Sequence, residues 1–261
     1  MMKKEQTDYG APYGYRAKVG LIVVGPNLNP TPEITRMLPP YVQIRETRIH
    51  MDPDVTVEEV SKLKERLPDA AGLITEGMCS EVLGDNSAIA FACTAGSLVG
   101  GPGWDETEIE AMESASRGIP ATTTATACGA AMKELDFDKI VIAGPYIDEV
   151  NERFEEFYGE TEFEVLNIEG LGIQDLYEMG ATKPSRAYQI AMEADVPEAD
   201  GIFIACTNFR CSDVIEEIEE DAGKPVVTAN QATAWQLMQM LDIDEPVEGY
   251  GQLLKKVPRS G

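Results

Sequence analysis

Eight short apolar, β-branched runs recur along the chain, and helix-length segments lie between most of them. The runs are VGLIVV (19–24), VQIRETRI (42–49), AGLIT (71–75), SAIAFA (87–92), KIVIAG (139–144), EFEVLNI (162–168), GIFIA (201–205) and KPVVTA (224–229). The segments at 56–66, 105–117, 125–135, 147–158, 184–194, 212–221 and 231–241 carry helical spacing. Short, wholly apolar strands alternating with amphipathic helices predict an α/β fold of parallel sheets with helices on both faces. At 261 residues such a chain buries a full core without disulfide or metal support.

Two motifs occur twice at nearly the same separation. Gly25-Pro26 after the first run returns as Gly144-Pro145, and Cys93-Thr94 at the end of IAFACT returns as Cys206-Thr207 at the end of IFIACT. This predicts two pseudo-symmetric lobes, 18–125 and 126–240, with the C-terminal segment 241–261 packing back on the first. Ligands of open parallel sheets bind beyond the carboxyl ends of the strands. Asn27, Cys93, Tyr146 and Cys206 all fall at such ends, so facing lobes would bring the two cysteines to one cleft from opposite sides.

A thiol at a strand-to-helix turn lies near unpaired backbone N–H groups, which favour thiolate and also bind carboxylate. Two opposed thiols can act on the two faces of a planar, carboxylate-bearing centre, one as acid and the other as base or nucleophile. Racemisation, cis-trans isomerisation and decarboxylation with reprotonation all use this arrangement. Cys79 and Cys128 are read as small core residues. His50 is the chain's one histidine, which speaks against a His-based metal cluster or a Cys-His pair; no metal is expected. The glycine-rich stretch 96–103 matches neither a phosphate loop nor GxGxxG and reads as a flap over the site or as an ordinary connection. Asn27 is a carboxylate-binding candidate, Asn29 a helix cap, and Tyr146 either a hydroxyl donor or a packing residue.

Asp and Glu number 46 against 21 Lys and Arg, a formal charge of -25, so neither nucleic acid nor an anionic membrane is an expected partner. Acid clusters such as 216–221 have the spacing of solvated helix faces, and so large an excess suggests adaptation to high salt. With no membrane-length apolar run and no apolar leader-like segment, a cytoplasmic protein with reduced thiols is expected.

The motifs GLIVVGPN (20–27), FACTAGSLVGGPG (91–103), KIVIAGPYIDEVNERF (139–154), IFIACTN (202–208) and PVVTANQATAW (225–235) resemble, in order and spacing, the maleate cis-trans isomerase and arylmalonate decarboxylase group of the aspartate/glutamate racemase superfamily. The resemblance runs from about residue 19 to 243. It implies a cofactor-independent enzyme acting on a small mono- or dicarboxylate, as a homodimer or larger homo-oligomer. By position, Cys93 looks like the nucleophile that adds to the alkene of maleate, and Cys206 like the opposing acid/base thiol. Asn27, Thr94, Ala95, Tyr146, Thr207 and Asn208 fall at substrate-binding positions, with Asn230 in support. Decarboxylases of the group keep only the second cysteine, so Cys93 turns the reading toward isomerase. A two-cysteine racemase, a decarboxylase and an inactive carboxylate-binding homologue stay open as alternatives. One isomerase asparagine would fall near Leu176, where Gln174 is the nearest substitute, and Ala95-Gly96-Ser97 also departs from the isomerase pattern.

Overall fold

The computed structural model describes residues 14, 16–78, 86–160 and 163–256. In chain order the first half contains β1 (Ala17–Val24), α1 (Pro30–Met37), β2 (Val42–Ile49), α2 (Val57–Ser61), α3 (Leu67–Thr75), β3 (Ser87–Ala92), α4 (Trp104–Ala115), β4 (Ala121–Thr123) and α5 (Thr124–Glu134). The second contains β5 (Lys139–Gly144), α6 (Asp148–Gly159), β6 (Glu164–Gly170), α7 (Leu176–Ala181), α8 (Pro184–Ala194), β7 (Gly201–Ile204), α9 (Ile215–Ala222), β8 (Val226–Thr228), α10 (Ala229–Met240) and α11 (Gly251–Lys255). The strands form two four-stranded sheets ordered β2-β1-β3-β4 and β6-β5-β7-β8, with neighbouring strands parallel throughout.

The order explains the burial. β1 and β3 are buried along their whole length, as VGLIVV and SAIAFA require, whereas the charged VQIRETRI of β2 sits half-exposed at an edge. In each sheet the chain leaves the first strand toward one edge and returns on its other side. The switch point therefore lies between β1 and β3 in one sheet and between β5 and β7 in the other.

Two elements differ from expectation. The run AGLIT belongs to α3: Leu67, Ala70, Ala71 and Ile74 are buried at spacings of three and four, and Pro68 sits in the first turn, so the period is helical. The fourth strand of the first sheet is instead Ala121–Thr123. Pro120-Ala121-Thr122-Thr123 stands to that sheet as Pro225-Val226-Val227-Thr228 stands to the other, and each threonine, Thr123 and Thr228, caps the next helix through its side chain.

The residue 125/126 boundary lies inside α5, which packs against α10. Segment 241–256 touches both halves. Asn86 donates to the Leu241 carbonyl (3.2 Å) and Tyr41 to Glu245 (3.1 Å), while α11 packs on β8, α9 and α10.

Candidate active site

Both switch points open on one cavity of about 20 Å³, room for little more than a water molecule. Its reactive side is lined by Asn27, Cys93, Ala95, Tyr146, Cys206 and Thr207. Its remaining lining is apolar: Val24, Met51, Val55, Val60 and Leu176. No lysine or arginine is among these residues.

Cys93 follows β3 directly, and its Sγ accepts one hydrogen bond, from the Gly96 N–H at 3.4 Å. Burial pushes the thiol up to about 12; the Gly96 N–H opposes that, and the nearby Cys206 and Glu108 add to it. Cys206 has a left-handed backbone, φ 83°, unusual for a side-chain-bearing residue and a source of local strain. That turn sets the N–H groups of Asn208 and Phe209 near its sulfur, with the Tyr146 hydroxyl beside them, and each favours its thiolate; the Phe209 N–H also donates to the Cys206 carbonyl at 3.1 Å. Burial raises this thiol too, to about 11, with the three donors pulling against it. Both thiols are thus protonated near neutrality, and Cys206 has the more thiolate-favouring neighbours.

Tyr146 is buried at the end of β5, its ring 5.3 Å from that of Phe154 and its hydroxyl between Cys206 and Thr94. Burial, then the neighbouring thiols, holds its own ionisation well above the usual phenol range, so it stays a donor. Removing this hydroxyl gives a direct prediction. Tyr146→Phe should slow alkylation of Cys206 by iodoacetamide at fixed pH about 10-fold, the worth of one hydrogen bond to a charged acceptor. Peptide mass spectrometry across pH reads this out, and an unchanged profile would remove Tyr146 from the thiol's control.

The other expected residues divide into those facing the cavity and those holding the frame. Asn27 Oδ1 is buried with no hydrogen-bond partner among the described residues, and Thr94 Oγ1 has only the Tyr146 hydroxyl beside it, which marks both as polar groups in want of one. Thr207 lines the cavity, while its hydroxyl donates to the Ala92 carbonyl at 3.0 Å and so ties the two cysteine turns together. The Asn208 side chain is fully engaged elsewhere: Oδ1 accepts from Leu28 N–H (2.7 Å) and Asn29 N–H (3.3 Å), and Nδ2 donates to the Leu176 carbonyl (2.7 Å). Only its backbone N–H serves the site.

Asn29 does not cap α1 through its side chain; it reaches instead to the carbonyls of Asn208 (2.7 Å) and Gly180 (3.0 Å). Gln174 is exposed and does not line the cavity, so it does not replace the missing asparagine; Leu176 does face it. The glycine-rich stretch is a packed connection. Leu98 and Val99 are buried, and Trp104 Nε1 donates to the Gly96 carbonyl at 3.0 Å. The cavity is covered by the segment after β2, bridged to the one before α7 through Val55 N–H to Gln174 O and Leu176 N–H to Pro53 O, each 2.8 Å. His50 is solvent-facing, 3.7 Å from Asp52. Cys128 is buried beside Tyr158, and Cys79 lies outside the described residues. No metal-holding group of His, Cys, Asp and Glu occurs among the described residues, and no helix there is long and apolar enough to cross a membrane.

Sequence reading overlooked three contributors. Arg48 Nη1 donates to the carbonyls of Gly25 (2.7 Å) and Asn27 (2.8 Å) and fixes the turn that presents Asn27. Cys211 is buried near Cys206 and Glu33. Glu33 is a buried carboxyl reaching from α1 into the second half. Its only sequence signal was an acid in the first turn of a helix, which reads as ordinary dipole compensation.

The arylmalonate decarboxylase family model matches residues 78–254. The maleate isomerase of Geobacillus stearothermophilus is 25% identical over 250 residues, covering 91% of this chain and 96% of that protein. Among solved structures, the maleate isomerase Iso of Pseudomonas putida S16, as a cysteine-to-alanine variant with maleate, superimposes with a TM-score of 0.83 at 22% identity, over 92% of this chain and 97% of that one. A cysteine-to-serine variant of Nocardia farcinica maleate cis-trans isomerase with a covalently bound succinylcysteine intermediate gives 0.83 at 21% identity, over 92% and 98%.

Proposed function

The chain belongs to the arylmalonate decarboxylase family, and from that membership and the two facing thiols we propose that it is a cofactor-independent cis-trans isomerase of maleate or a similar small unsaturated dicarboxylate. The observation that carries the reading is that Cys93 and Cys206, from equivalent turns of two like sheets, line one cavity. A relative bearing succinylcysteine supports covalent chemistry at one of two such sulfurs. We take the lobes to be 18–125 and 126–240, and the enzyme to work in the cytoplasm as a homodimer or larger homo-oligomer.

The unequal surroundings of the thiols suggest how charge moves. Both thiols hold their protons near neutrality; as substrate arrives the pair gives up one proton, which leaves Cys93 as thiolate and Cys206 as thiol. Cys93, the less acidic thiol, is the stronger nucleophile once ionised. Its Sγ bonds to one alkene carbon, and the π pair moves to the other carbon, stabilised by the adjacent carboxylate. Cys206 protonates that carbon and becomes thiolate. The former double bond is now single and rotates. Cys206 then removes the proton, the C–S bond breaks, and Cys93 leaves as thiolate with the trans alkene. Asn27, Thr94, Ala95 and Tyr146, with the turns after each cysteine, are placed in this scheme to hold carboxylate through neutral donors.

Proton NMR of the protein with maleate should show the alkene signal replaced by that of fumarate. Because one thiolate is needed per turnover and both thiols titrate far above neutrality, kcat/KM should rise about 10-fold per pH unit from neutral into mildly alkaline solution. A flat profile would mean that neither thiol's ionisation limits the reaction. A decarboxylase is the second reading, favoured by the apolar wall of Met51, Val55, Val60 and Leu176, which suits departure of carbon dioxide. Carbon dioxide release from an arylmalonate, with maleate untouched, would select it.

A further inference from the structure

We propose that Glu33 is a positioning residue that clamps the Cys206 turn across the two halves of the molecule and fixes a negative charge behind its thiol. The inference rests on the reading of Cys206 as the acid/base thiol.

Glu33 is 2% exposed, on the first helix of the first half, yet among the described residues its side-chain hydrogen-bond partners lie in the second. Oε1 accepts from Ser212 Oγ (2.7 Å) and Ser212 N–H (3.3 Å); Oε2 accepts from Asn230 Nδ2 (2.7 Å). Asn230 Nδ2 also donates to the Thr207 carbonyl at 2.9 Å, one residue beyond Cys206. With two acceptors in front of it, only the NH₂ end of the amide fits there. Glu33 therefore reaches the Thr207–Asn208 peptide, one residue beyond Cys206, through one bridging amide, and Cys206 is the residue whose left-handed φ needs outside support.

The pattern is that of an ionised carboxylate. Each oxygen faces a strict donor, the Ser212 N–H on one side and the Asn230 amide on the other; the Ser212 hydroxyl, which also meets Oε1, accepts from Arg36 and turns its own hydrogen to the carboxylate. Arg36 supplies the nearby positive charge, donating to Ser212 Oγ at 2.9 Å and pairing with Asp213 at 3.2 Å. Burial raises the Glu33 carboxyl, while Asn230, Ser212 and Arg36 oppose that shift. The groups that bear on Cys206 are Tyr146, the Asn208 and Phe209 N–H groups and Glu33, with Cys93 and Cys211 as its neighbouring thiols. Among these, Glu33 is the one that carries a fixed negative charge, and it works against a second negative charge on the sulfur. A Cys206 kept protonated until substrate is present is what an acid requires.

Glu33→Gln is a sharp probe because its single NH₂ must face one of the two strict donors. In this variant the midpoint pH of Cys206 alkylation by iodoacetamide, followed on the Cys206 peptide, should fall, with alkylation about threefold or more faster at a fixed pH below it. Asn230→Ala keeps the charge and removes the bridge, so the midpoint should stay and kcat for maleate should fall more than KM changes. Arg36→Ala, at a half-exposed position, removes the counter-charge without opening the core and should move the midpoint up, which keeps the test decisive if Glu33→Gln does not fold. Unmoved midpoints in both charge variants would overturn the proposal. Alkylation needs no turnover, so shifted midpoints in a protein inert toward maleate would retain the role of Glu33 and reject the isomerase reading.

Discussion

Cys93→Ala is expected to lower conversion of maleate to fumarate by about 10⁴-fold or more, the scale of losing a covalent nucleophile. The fold should remain intact, because the sulfur borders a cavity and its loss changes stability by about 1 kcal/mol. Cys206→Ser should be comparably inactive for a different reason. With Cys93 still present, addition can begin but regeneration of the alkene is slow, so intact-protein mass spectrometry should show one maleate bound, located by digestion on the Cys93 peptide. Cys93→Ala should show none. An adduct on the Cys206 peptide in Cys93→Ala would exchange the two roles, and would fit the three donors that favour thiolate at Cys206. The prediction therefore tests an assignment that rests on the unequal surroundings of two otherwise equivalent sulfurs.

That inequality could not be read from IAFACT and IFIACT, whose sameness is what reveals the pair. Repetition reports which turns are equivalent, because like strands end in like loops. Donor count depends on which distant side chains arrive: Tyr146 from β5 at one sulfur, only a local N–H at the other. Most strands were legible for a local reason too: runs such as VGLIVV are short, rich in β-branched residues and closed by Gly-Pro, and these features favour strand where periodicity alone does not decide. AGLIT failed because a short apolar run fits both helix and strand, and only Leu67 and Ala70, outside the run, restore the helical period. Ala121–Thr123 is too short for periodicity, although its likeness to the Pro-x-x-Thr before α10 was available. Asn29, Asn208 and Glu33 act between the halves and Arg48 between neighbouring strands of one half, and residue type alone does not tell a cap or surface charge from such a long-range bond.

Gly100→Ala is the change away from the thiols with the largest expected effect. A Cβ at Gly100 would overlap the Trp104 indole, on backbone that is not left-handed, so the strain falls on packing rather than on φ. The indole holds two groups at once, donating from Nε1 to the Gly96 carbonyl (3.0 Å) and to Glu108 Oε1 (3.1 Å), and Lys64 Nζ lies 4.0 Å over its ring. Glu108 is fully buried and its Oε2 has no partner, so moving the indole would leave this carboxyl with no donor at either oxygen. Overpacking and the lost hydrogen bonds together should destabilise the protein by about 2–5 kcal/mol, a fall in Tm of roughly 5–15 °C. Activity should fall as well, because Gly96 carries the N–H that Cys93 accepts. If the overlap is the cause, Gly100→Ala in a Trp104→Ala background should cost almost nothing further, a non-additivity of about 2–5 kcal/mol in a double-mutant cycle, equal to the whole single-mutant loss. Additive losses would show that the indole does not transmit the effect, and that the Gly100 backbone supports the Cys93 turn by some other contact.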